Sequence, residues 1–306
     1  MIRGSDRPLY ILPFDHRGKW EAELFGWPDP MNIAEMTVVE VAKQIAYDGF
    51  KAAIAAGVPR EKAAILVDEL YGAKILRQAS EDGFMTACPA EKSESSEFAF
   101  EYGENFAEHI EAFQPTFCKV MVRYNPEGDR ELNGRQAERL RRLSNYLHQN
   151  TATRFMFELL VPPEQAQLIK VGLDPDAYDS ELRPTLTVRA IEQLYEAHVE
   201  PDVWKIDGFD RREDFQRIVA TARDAGRDKV SCVVLGRSED EKKVREWLTI
   251  AGSVPGFIGF AVGRTDFRKP LAIWRAKKGT REAAVETIAQ RYREYVGIFE
   301  KARNQP

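Results

Sequence analysis

Short apolar runs alternate with longer amphipathic segments along most of the chain. Eight runs have the character of buried parallel strands, and they span residues 9–14, 63–67, 83–88, 117–122, 154–161, 203–206, 229–235 and 257–262. Helical spacing of apolar residues predicts helices over residues 34–56, 97–113, 134–148, 185–197, 211–225, 239–251 and 282–302. Residues 162–183, rich in Pro and Asp, are predicted to form a long loop.

This alternation predicts an α/β fold, a single (β/α)8 TIM barrel over residues 1–306. A length of 306 residues is within the usual range for such a barrel. The alternative is a doubly wound open sheet. It is disfavoured because the first strand is followed by Asp15-His16-Arg17-Gly18, which is not the glycine-rich turn that cradles a dinucleotide pyrophosphate.

Composition and charge limit the kinds of partner and the compartment expected for this protein. A net charge of -5, with 44 basic residues spread through the chain, argues against nucleic acid as a partner. No apolar run is long enough to span a membrane and the amino terminus lacks a signal peptide, so we expect a cytoplasmic protein without membrane contact. The isolated cysteines Cys88, Cys118 and Cys232 disfavour disulfides and zinc knuckles, and the last two are expected in the core.

Charged residues interrupt four of the predicted strands or follow them directly. Lys205, Lys119 and Glu158 lie inside apolar runs, and Asp15 follows the first run. Barrel strand ends converge on one mouth, so we expect these side chains to meet there. A lysine taken out of water, or placed near a second cation, has a lowered pKa and becomes an amine that attacks carbonyl groups. The structural alternative is a charge-balanced layer inside the barrel.

The last two predicted strands are followed by glycine and arginine residues instead of lysines and acids. Gly236-Arg237-Ser238 and Gly263-Arg264-Thr265 follow them. Backbone N–H groups and guanidinium groups at these turns would surround an anion, where barrels commonly hold phosphate.

Six motifs carry a resemblance to a known family: Leu12-Pro-Phe-Asp-His-Arg-Gly18, Val67-Asp-Glu-Leu-Tyr-Gly72, Cys118-Lys-Val-Met-Val-Arg-Tyr-Asn-Pro126, Phe157-Glu158, Val203-Trp-Lys-Ile-Asp207 and Val234-Leu-Gly-Arg237. The chain resembles the DUF2090-type domain fused to the 5-keto-2-deoxygluconate kinase of inositol catabolism. It is similar, more distantly, to tagatose-1,6-bisphosphate and sulfofructose-phosphate aldolases.

The resemblance implies a class I aldolase that needs neither cofactor nor metal. By the same resemblance Lys205 is the Schiff-base lysine, Lys119 the second lysine, Glu158 the proton-transfer carboxylate and Asp15 a further acid. Phosphate would be held by Gly236, Ser238, Gly263 and Arg264. The implied partner is a small phosphorylated sugar, 5-keto-2-deoxygluconate 6-phosphate, cleaved to dihydroxyacetone phosphate and malonate semialdehyde.

Other substrate contacts follow from charge and position. The substrate carboxylate needs a cation, for which Arg17 or Arg123 is suited, with His16 as an alternative. Each arginine is explained equally well by a surface ion pair. Asp68, at the end of the second strand, and Arg237 complete the predicted contacts.

Three rival functions share parts of this pattern. A metal-dependent barrel enzyme would use Asp15, His16, Asp68 and Glu158, but the histidines show no metal-binding spacing. A non-catalytic sugar-phosphate sensor would need no lysine pair. An aldolase for another ketose phosphate, of the tagatose bisphosphate or sulfofructose phosphate kind, shares every feature. For a homo-oligomer, residues 162–183 and the carboxyl-terminal helix are candidate contact surfaces.

Overall fold

Eight parallel strands form the centre of the computed structural model, which describes residues 4–18, 22, 24–27, 30–236 and 240–305, with only the backbone of 264–266. The strands are β1 Leu9–Pro13, β2 Ala63–Leu66, β3 Met85–Pro89, β4 Phe117–Arg123, β5 Arg154–Leu160, β6 Val203–Asp207, β7 Ser231–Leu235 and β8 Phe257–Ala261. Each pairs with the next, and β8 pairs with β1 to close the barrel. The predicted TIM barrel is therefore confirmed.

Helices surround the strands. They are α1 Ile33–Ala55, α2 Glu69–Glu81, α3 Phe106–Phe113, α4 Arg130–Asn150, α5 Gln165–Lys170, α6 Pro175–Ala177, α7 Arg183–Glu196, α8 Arg212–Ala222, α9 Glu241–Gly252, α10 Arg264–Arg275 and α11 Arg281–Arg303. Short 3-10 turns span Arg60–Lys62 and Gly103–Asn105. A capping box between Asn32 and Glu35 starts α1, and α11 packs against α1 and α9 across the closure of the barrel.

Side chains of the strands alternate between two apolar layers. The residues facing into the barrel form one cluster: Leu9, Ile11, Ala64, Leu66, Ala87, Phe117, Met156, Val203, Val233, Ile258 and Ala261. The residues facing out pack against the helices in a larger cluster that includes Tyr10, Trp204 and Phe260. Cys118 and Cys232 are buried in this outer layer as expected, and Cys88 is half-buried beside it. The interior is thus a packed core, and the polar chemistry is confined to its rim.

The predicted loop over residues 162–183 is wrong, because the segment is largely helical. It contains α5, α6 and a π-helical turn at Tyr178–Leu182 that leads into α7. The local signals are caps: the side chains of Glu164 and Gln167 form a capping box, and Asp174 caps a helix with Pro175 in its first turn. Pro and Asp start helices here instead of marking irregular chain.

Three other helices differ from the prediction. α2 was not predicted because Asp68 and Glu69 resemble a polar strand end, although Asp68 is the N-cap of that helix. α10 was not predicted; it contains Pro270, which normally interrupts a helix. The helix predicted over residues 97–113 starts only at Phe106, because Phe100 forms a backbone bridge with Glu91. In the part of the chain that the structure describes, none of the helices combines the length and apolar character required to span a membrane.

Candidate active site

A cavity of about 230 Å³ opens at the carboxyl ends of the strands. Its lining includes all four residues predicted to be catalytic: Asp15, Lys119, Glu158 and Lys205. Five of the predicted substrate contacts also line it: His16, Arg17, Arg123, Gly236 and Gly263. The barrel topology thus brings together most of the residues that the sequence singled out.

The strand period explains how the charged residues reach the cavity. In β4, β5 and β6, the residue two positions before each charged side chain belongs to the apolar cluster inside the barrel: Phe117, Met156 and Val203. Residues two apart face the same side of a strand, so Lys119, Glu158 and Lys205 also point inward, one layer nearer the mouth. They form a polar layer directly above the apolar core.

Glu158 lies between the two lysines. Its Oε2 atom is 2.9 Å from the Nζ of Lys205 and 3.0 Å from the Nζ of Lys119. Glu158 and Lys205 are register partners in neighbouring strands, which fixes the first of these pairs. All three side chains are almost completely buried. Both ammonium groups therefore share one carboxylate oxygen.

Lys119 makes two further contacts with carboxylates. Its Nζ donates to Oδ2 of Asp15 at 3.0 Å and to Oε1 of Glu91 at 2.8 Å. An ammonium group has three N–H donors, and three carboxylates surround this one. Lys205 differs, because Glu158 is its one hydrogen-bond partner among the residues that the structure describes. The Lys205 amine thus keeps donor positions and a lone pair, when neutral, for a molecule in the cavity.

We call the five residues Asp15, Glu91, Lys119, Glu158 and Lys205 the mouth cluster. Burial by itself would lower the pKa of Lys119, but its three carboxylate neighbours hold that pKa well above the ordinary value. For the acids the effect of burial has the opposite sign, and by itself it would raise the pKa of Asp15 and of Glu158. The two lysines outweigh it, so the pKa of Asp15 is lowered and that of Glu158 falls to about 2.

Glu91 follows the opposite trend. Burial raises its pKa, and the charges of Lys119 and Arg17 offset this only in part. Sequence reasoning missed Glu91 because it lies two residues beyond β3 in a strongly polar segment. In the structure Glu91 and Asp15 occupy equivalent positions, each two residues beyond the end of its strand, but the predicted strand ends at residues 88 and 14 did not show this.

The two arginines of the mouth have different surroundings. Arg17 is buried, donates to the backbone carbonyl of Glu91 at 2.9 Å, and lies 3.5 Å from Oε1 of Glu91 and 3.6 Å from Oε2 of Glu101. Arg123 is exposed and lines the cavity, and no carboxylate of the described residues lies within ion-pair distance of it. Arg17 is therefore committed to the protein, whereas Arg123 is available to an anion.

Asp68, also predicted as a substrate contact, is not among the described residues that line the cavity. Its side chain is fully buried, its Oδ2 caps α2 through the N–H of Tyr71, and its Oδ1 binds Nζ of Lys43. Lys43 is itself buried and donates to the carbonyls of Phe14 and His16, each at 2.7 Å. We call Lys43 and Asp68 the scaffold pair, because they hold the backbone on both sides of Asp15.

The ends of β7 and β8 form the opposite wall through backbone. Gly236 and Gly263 line the cavity, and a Cβ atom on Gly263 would lie 2.2 Å from the carbonyl oxygen of Pro13. α10 begins directly after Gly263, so the free N–H groups of its first turn lie at the mouth. Of the other residues predicted to bind phosphate, Arg237 and Ser238 lie outside the described residues, as does the side chain of Arg264.

A metal site is not assembled from the described residues. In that part of the chain no group of three or more His, Cys, Asp and Glu side chains is arranged to hold a metal ion. The carboxylates proposed for the metal-dependent rival are engaged by lysines instead: Asp15 and Glu158 by Lys119, and Asp68 by Lys43.

Comparisons with known proteins give a family and a fold. The family model described as "Uncharacterized protein conserved in bacteria (DUF2090)" matches residues 2–303. A search of curated proteins finds no match.

The chain resembles many solved structures, among them these three. A fructose-bisphosphate aldolase from Plasmodium falciparum has a TM-score of 0.65 at 13% identity, and the match covers 100% of this chain and 93% of that one. A fructose-bisphosphate aldolase from Slackia heliotrinireducens has a TM-score of 0.55 at 10% identity, with 93% and 86% covered. A structural genomics target from Corynebacterium glutamicum has a TM-score of 0.54 at 15% identity, with 95% and 87% covered. These similarities are similarities of fold.

Proposed function

Because this chain belongs to the DUF2090 family, whose description states no activity, we propose its function from the site: a class I aldolase that cleaves a phosphorylated keto-sugar acid. Two structures that share its fold are of fructose-bisphosphate aldolases. The likeness supports an aldehyde-lyase on this barrel but does not specify the substrate.

The observation that carries the proposal is that Lys119 and Lys205 differ in the number of carboxylates that bind them. Lys119 is surrounded by three carboxylates and its raised pKa keeps it a permanent cation. Lys205 faces the same cavity with Glu158 as its one hydrogen-bond partner among the described residues. A buried primary amine that faces a cavity, with its lone pair available when neutral, is the group needed to form an imine.

The first half of the mechanism uses Glu158. Its Oε2, 2.9 Å from Lys205 Nζ, takes a proton from the ammonium group. The neutral amine then attacks the substrate ketone, forming a C–N bond, and the carbinolamine hydroxyl takes the proton back from Glu158 and leaves as water, which gives a protonated imine and an ionised Glu158. Lys119 keeps Glu158 ionised for this task, and Asp15 holds Lys119 in place.

In the second half the imine withdraws electrons from the neighbouring carbon. The carbon-carbon bond breaks, the hydroxyl group on the departing carbon becomes an aldehyde as it loses its proton, and the remaining fragment is an enamine on Lys205. The proton lost by that hydroxyl group is then delivered to the enamine carbon, which gives an imine again, and water hydrolyses this imine to release the ketone and the Lys205 amine. For 5-keto-2-deoxygluconate 6-phosphate the products are malonate semialdehyde and dihydroxyacetone phosphate.

The two ends of the cavity suit the two anionic groups of this substrate. The backbone N–H groups at Gly236 and at the start of α10 suit the phosphate. Arg123 suits the carboxylate, because Arg17 is already engaged by Glu91 and Glu101. Of the two arginines that the sequence offered, we therefore propose Arg123 as the contact of the substrate carboxylate.

Imine trapping tests the proposed function. The protein is incubated with candidate keto-sugar phosphates, reduced with borohydride, and the modified peptide is located by mass spectrometry. We expect the adduct on Lys205, and we expect Lys205→Met to lose both the adduct and at least about 10³-fold in cleavage rate. The exposed Lys170→Met variant serves as the matched control. An adduct on Lys119, or none with any phosphorylated ketone, overturns the proposal.

A second test addresses the substrate carboxylate. Arg123→Gln should raise KM for the keto-sugar acid by about 10- to 100-fold, the value of one charge-assisted contact, and leave kcat nearly unchanged. KM for a ketose phosphate without a carboxylate should not move. Equal effects on both substrates would place the carboxylate elsewhere.

A further inference from the structure

Glu91 occupies the mouth of the barrel in a fixed position. It lies two residues beyond β3, where a backbone bridge to Phe100 and the bond from Ala90 N to the Lys119 carbonyl hold the chain. The residue is 5% exposed and its side chain lines the cavity. A carboxyl group is rarely buried to this extent without a role for each of its oxygens.

The two oxygens of Glu91 are used differently. Oε1 accepts from Lys119 at 2.8 Å and lies 3.5 Å from Arg17. Oε2 is buried and has no hydrogen-bond partner among the described residues. A buried carboxylate oxygen without a hydrogen bond is energetically unfavourable. It therefore marks a position where a proton, or the hydroxyl group of a bound molecule, would supply the missing hydrogen bond.

The charged groups that face Glu91 come from the elements packed against it. Lys119 approaches from β4, and Arg17 and Asp15 from the segment after β1. Glu101 lies beyond Arg17, and Glu158 lies beyond Lys119. At Glu91 the effect of burial is larger than that of these charges, so its pKa is raised. At Glu158 the effect of the lysines is larger, so its pKa is lowered. Two carboxyl groups whose pKa values are driven apart in this way divide acid-base roles between them.

We propose that Glu91, and not Glu158, accepts the proton of the substrate hydroxyl group when the carbon-carbon bond breaks. The inference rests on the proposed aldolase function. In this step the hydroxyl O–H bond breaks and an O–H bond forms on Oε2 of Glu91. The oxygen-hydrogen bonding pair becomes the second bond of the aldehyde carbonyl, and the carbon-carbon pair moves into the imine on Lys205. Glu158 remains ionised and serves Lys205 alone.

The sequence resemblance implies Glu158 as the proton-transfer group, so the two assignments make different predictions. A base works best when its pKa is near the working pH, which favours a carboxylate with a raised pKa over one with a pKa of about 2. Cleavage should therefore lose rate as the pH falls and Glu91 becomes protonated.

The test compares Glu91→Gln with the wild-type protein in two assays. Cleavage turnover should fall by about 10²- to 10³-fold, and the remaining rate should lack the acid limb of the wild-type pH profile. Borohydride trapping on Lys205 should persist, because imine formation precedes the affected step. Glu104→Gln, a change on the exposed surface, is the control and should match the wild-type protein.

The outcomes are distinct. Failure of the wild-type protein to form an imine defeats the proposed function, whereas trapping together with an unchanged acid limb in Glu91→Gln defeats this inference alone. Equal loss of trapping and turnover with an unchanged profile would make Glu91 a purely structural residue. Should Glu91→Gln fail to fold, Glu91→Asp decides: the proposal requires its acid limb to move, and an unmoved limb overturns it.

Discussion

Two lysine sites in this barrel are alike in their burial and differ in how their ammonium groups are bonded. In the scaffold pair, the Lys43 ammonium bonds two backbone carbonyls and Asp68, and neither side chain lines the cavity. In the mouth cluster, Lys119 is equally saturated but adjoins Lys205, which has spare bonding capacity beside open space. Burial of a lysine beside an acid is therefore not a sign of catalysis. The incompletely bonded amine at the cavity is what supports the proposed role of Lys205.

The largest effect is expected when the mouth cluster loses its central cation. Lys119→Met leaves three buried carboxylates without the ammonium that they share, which costs about 3–5 kcal/mol of unfolding free energy. Cleavage should fall by about 10²-fold or more as Glu158 loses one of its two lysine partners. Urea unfolding at pH 7 and steady-state rates measure the two effects. A variant as stable as the wild-type protein would show that the three carboxylates are not ionised together.

The next effect separates the two sites. Lys43→Met leaves Asp68 as an unpaired buried carboxylate and should also cost about 3–5 kcal/mol. Below its unfolding temperature, however, the variant should still form the imine on Lys205, because Lys43 lies outside the cavity. Thermal unfolding and borohydride trapping on one preparation measure both. Lost trapping in a folded variant would mean that Lys43 belongs to the chemistry.

A smaller effect follows from removing both charges of the scaffold pair. Asp68→Asn added to Lys43→Met removes the unpaired carboxylate, while Asn keeps a side-chain oxygen for the N-cap of α2. The double variant should regain about 1–2 kcal/mol over Lys43→Met in urea unfolding. No gain would show that the bonds to the Phe14 and His16 carbonyls, not the ion pair, are what Lys43 contributes.

A further effect, which needs no substitution, is expected from acid on the intact protein. The pKa of Glu158 is lowered from 4.5 to about 2, and that of Asp15 is lowered too. A lowered carboxyl pKa adds stability in full above the ordinary value, and that stability is lost as the pH falls through the folded value. Unfolding midpoints should therefore decline from pH 5 towards pH 2. In Glu158→Gln the decline should be shallower; an equal slope would assign it to other acids.

The strands and most of the mouth cluster could be predicted because their signals are local. A charge inside an apolar run, as at Lys119 and Lys205, is conspicuous when strands have a period of two. The N-cap position of Asp68 could not be predicted in this way, because an acid directly after a strand fits both a strand-end site and a helix N-cap. Local pattern does not distinguish the two until the following helix is recognised.

Glu91 could not be found in this way. Its sequence surroundings, Glu91-Lys-Ser-Glu-Ser-Ser-Glu97, are typical of a solvated loop. Its burial comes from partners distant in sequence, Arg17 and Lys119, which lie 74 and 28 positions away. The same holds for Lys43, whose helix shows nothing unusual until the strand-end loop is folded over it.

The scaffold pair also bears on how substrate would enter. Lys43 fixes the carbonyls on both sides of Asp15, and α1 and α2 are thereby connected to the chain that carries this acid. Because that segment is ordered before a ligand arrives, little conformational entropy remains to be lost there on binding. We therefore expect association at this side of the mouth to be a single kinetic step, with a rate linear in ligand concentration, and Lys43→Met to introduce a slower second phase.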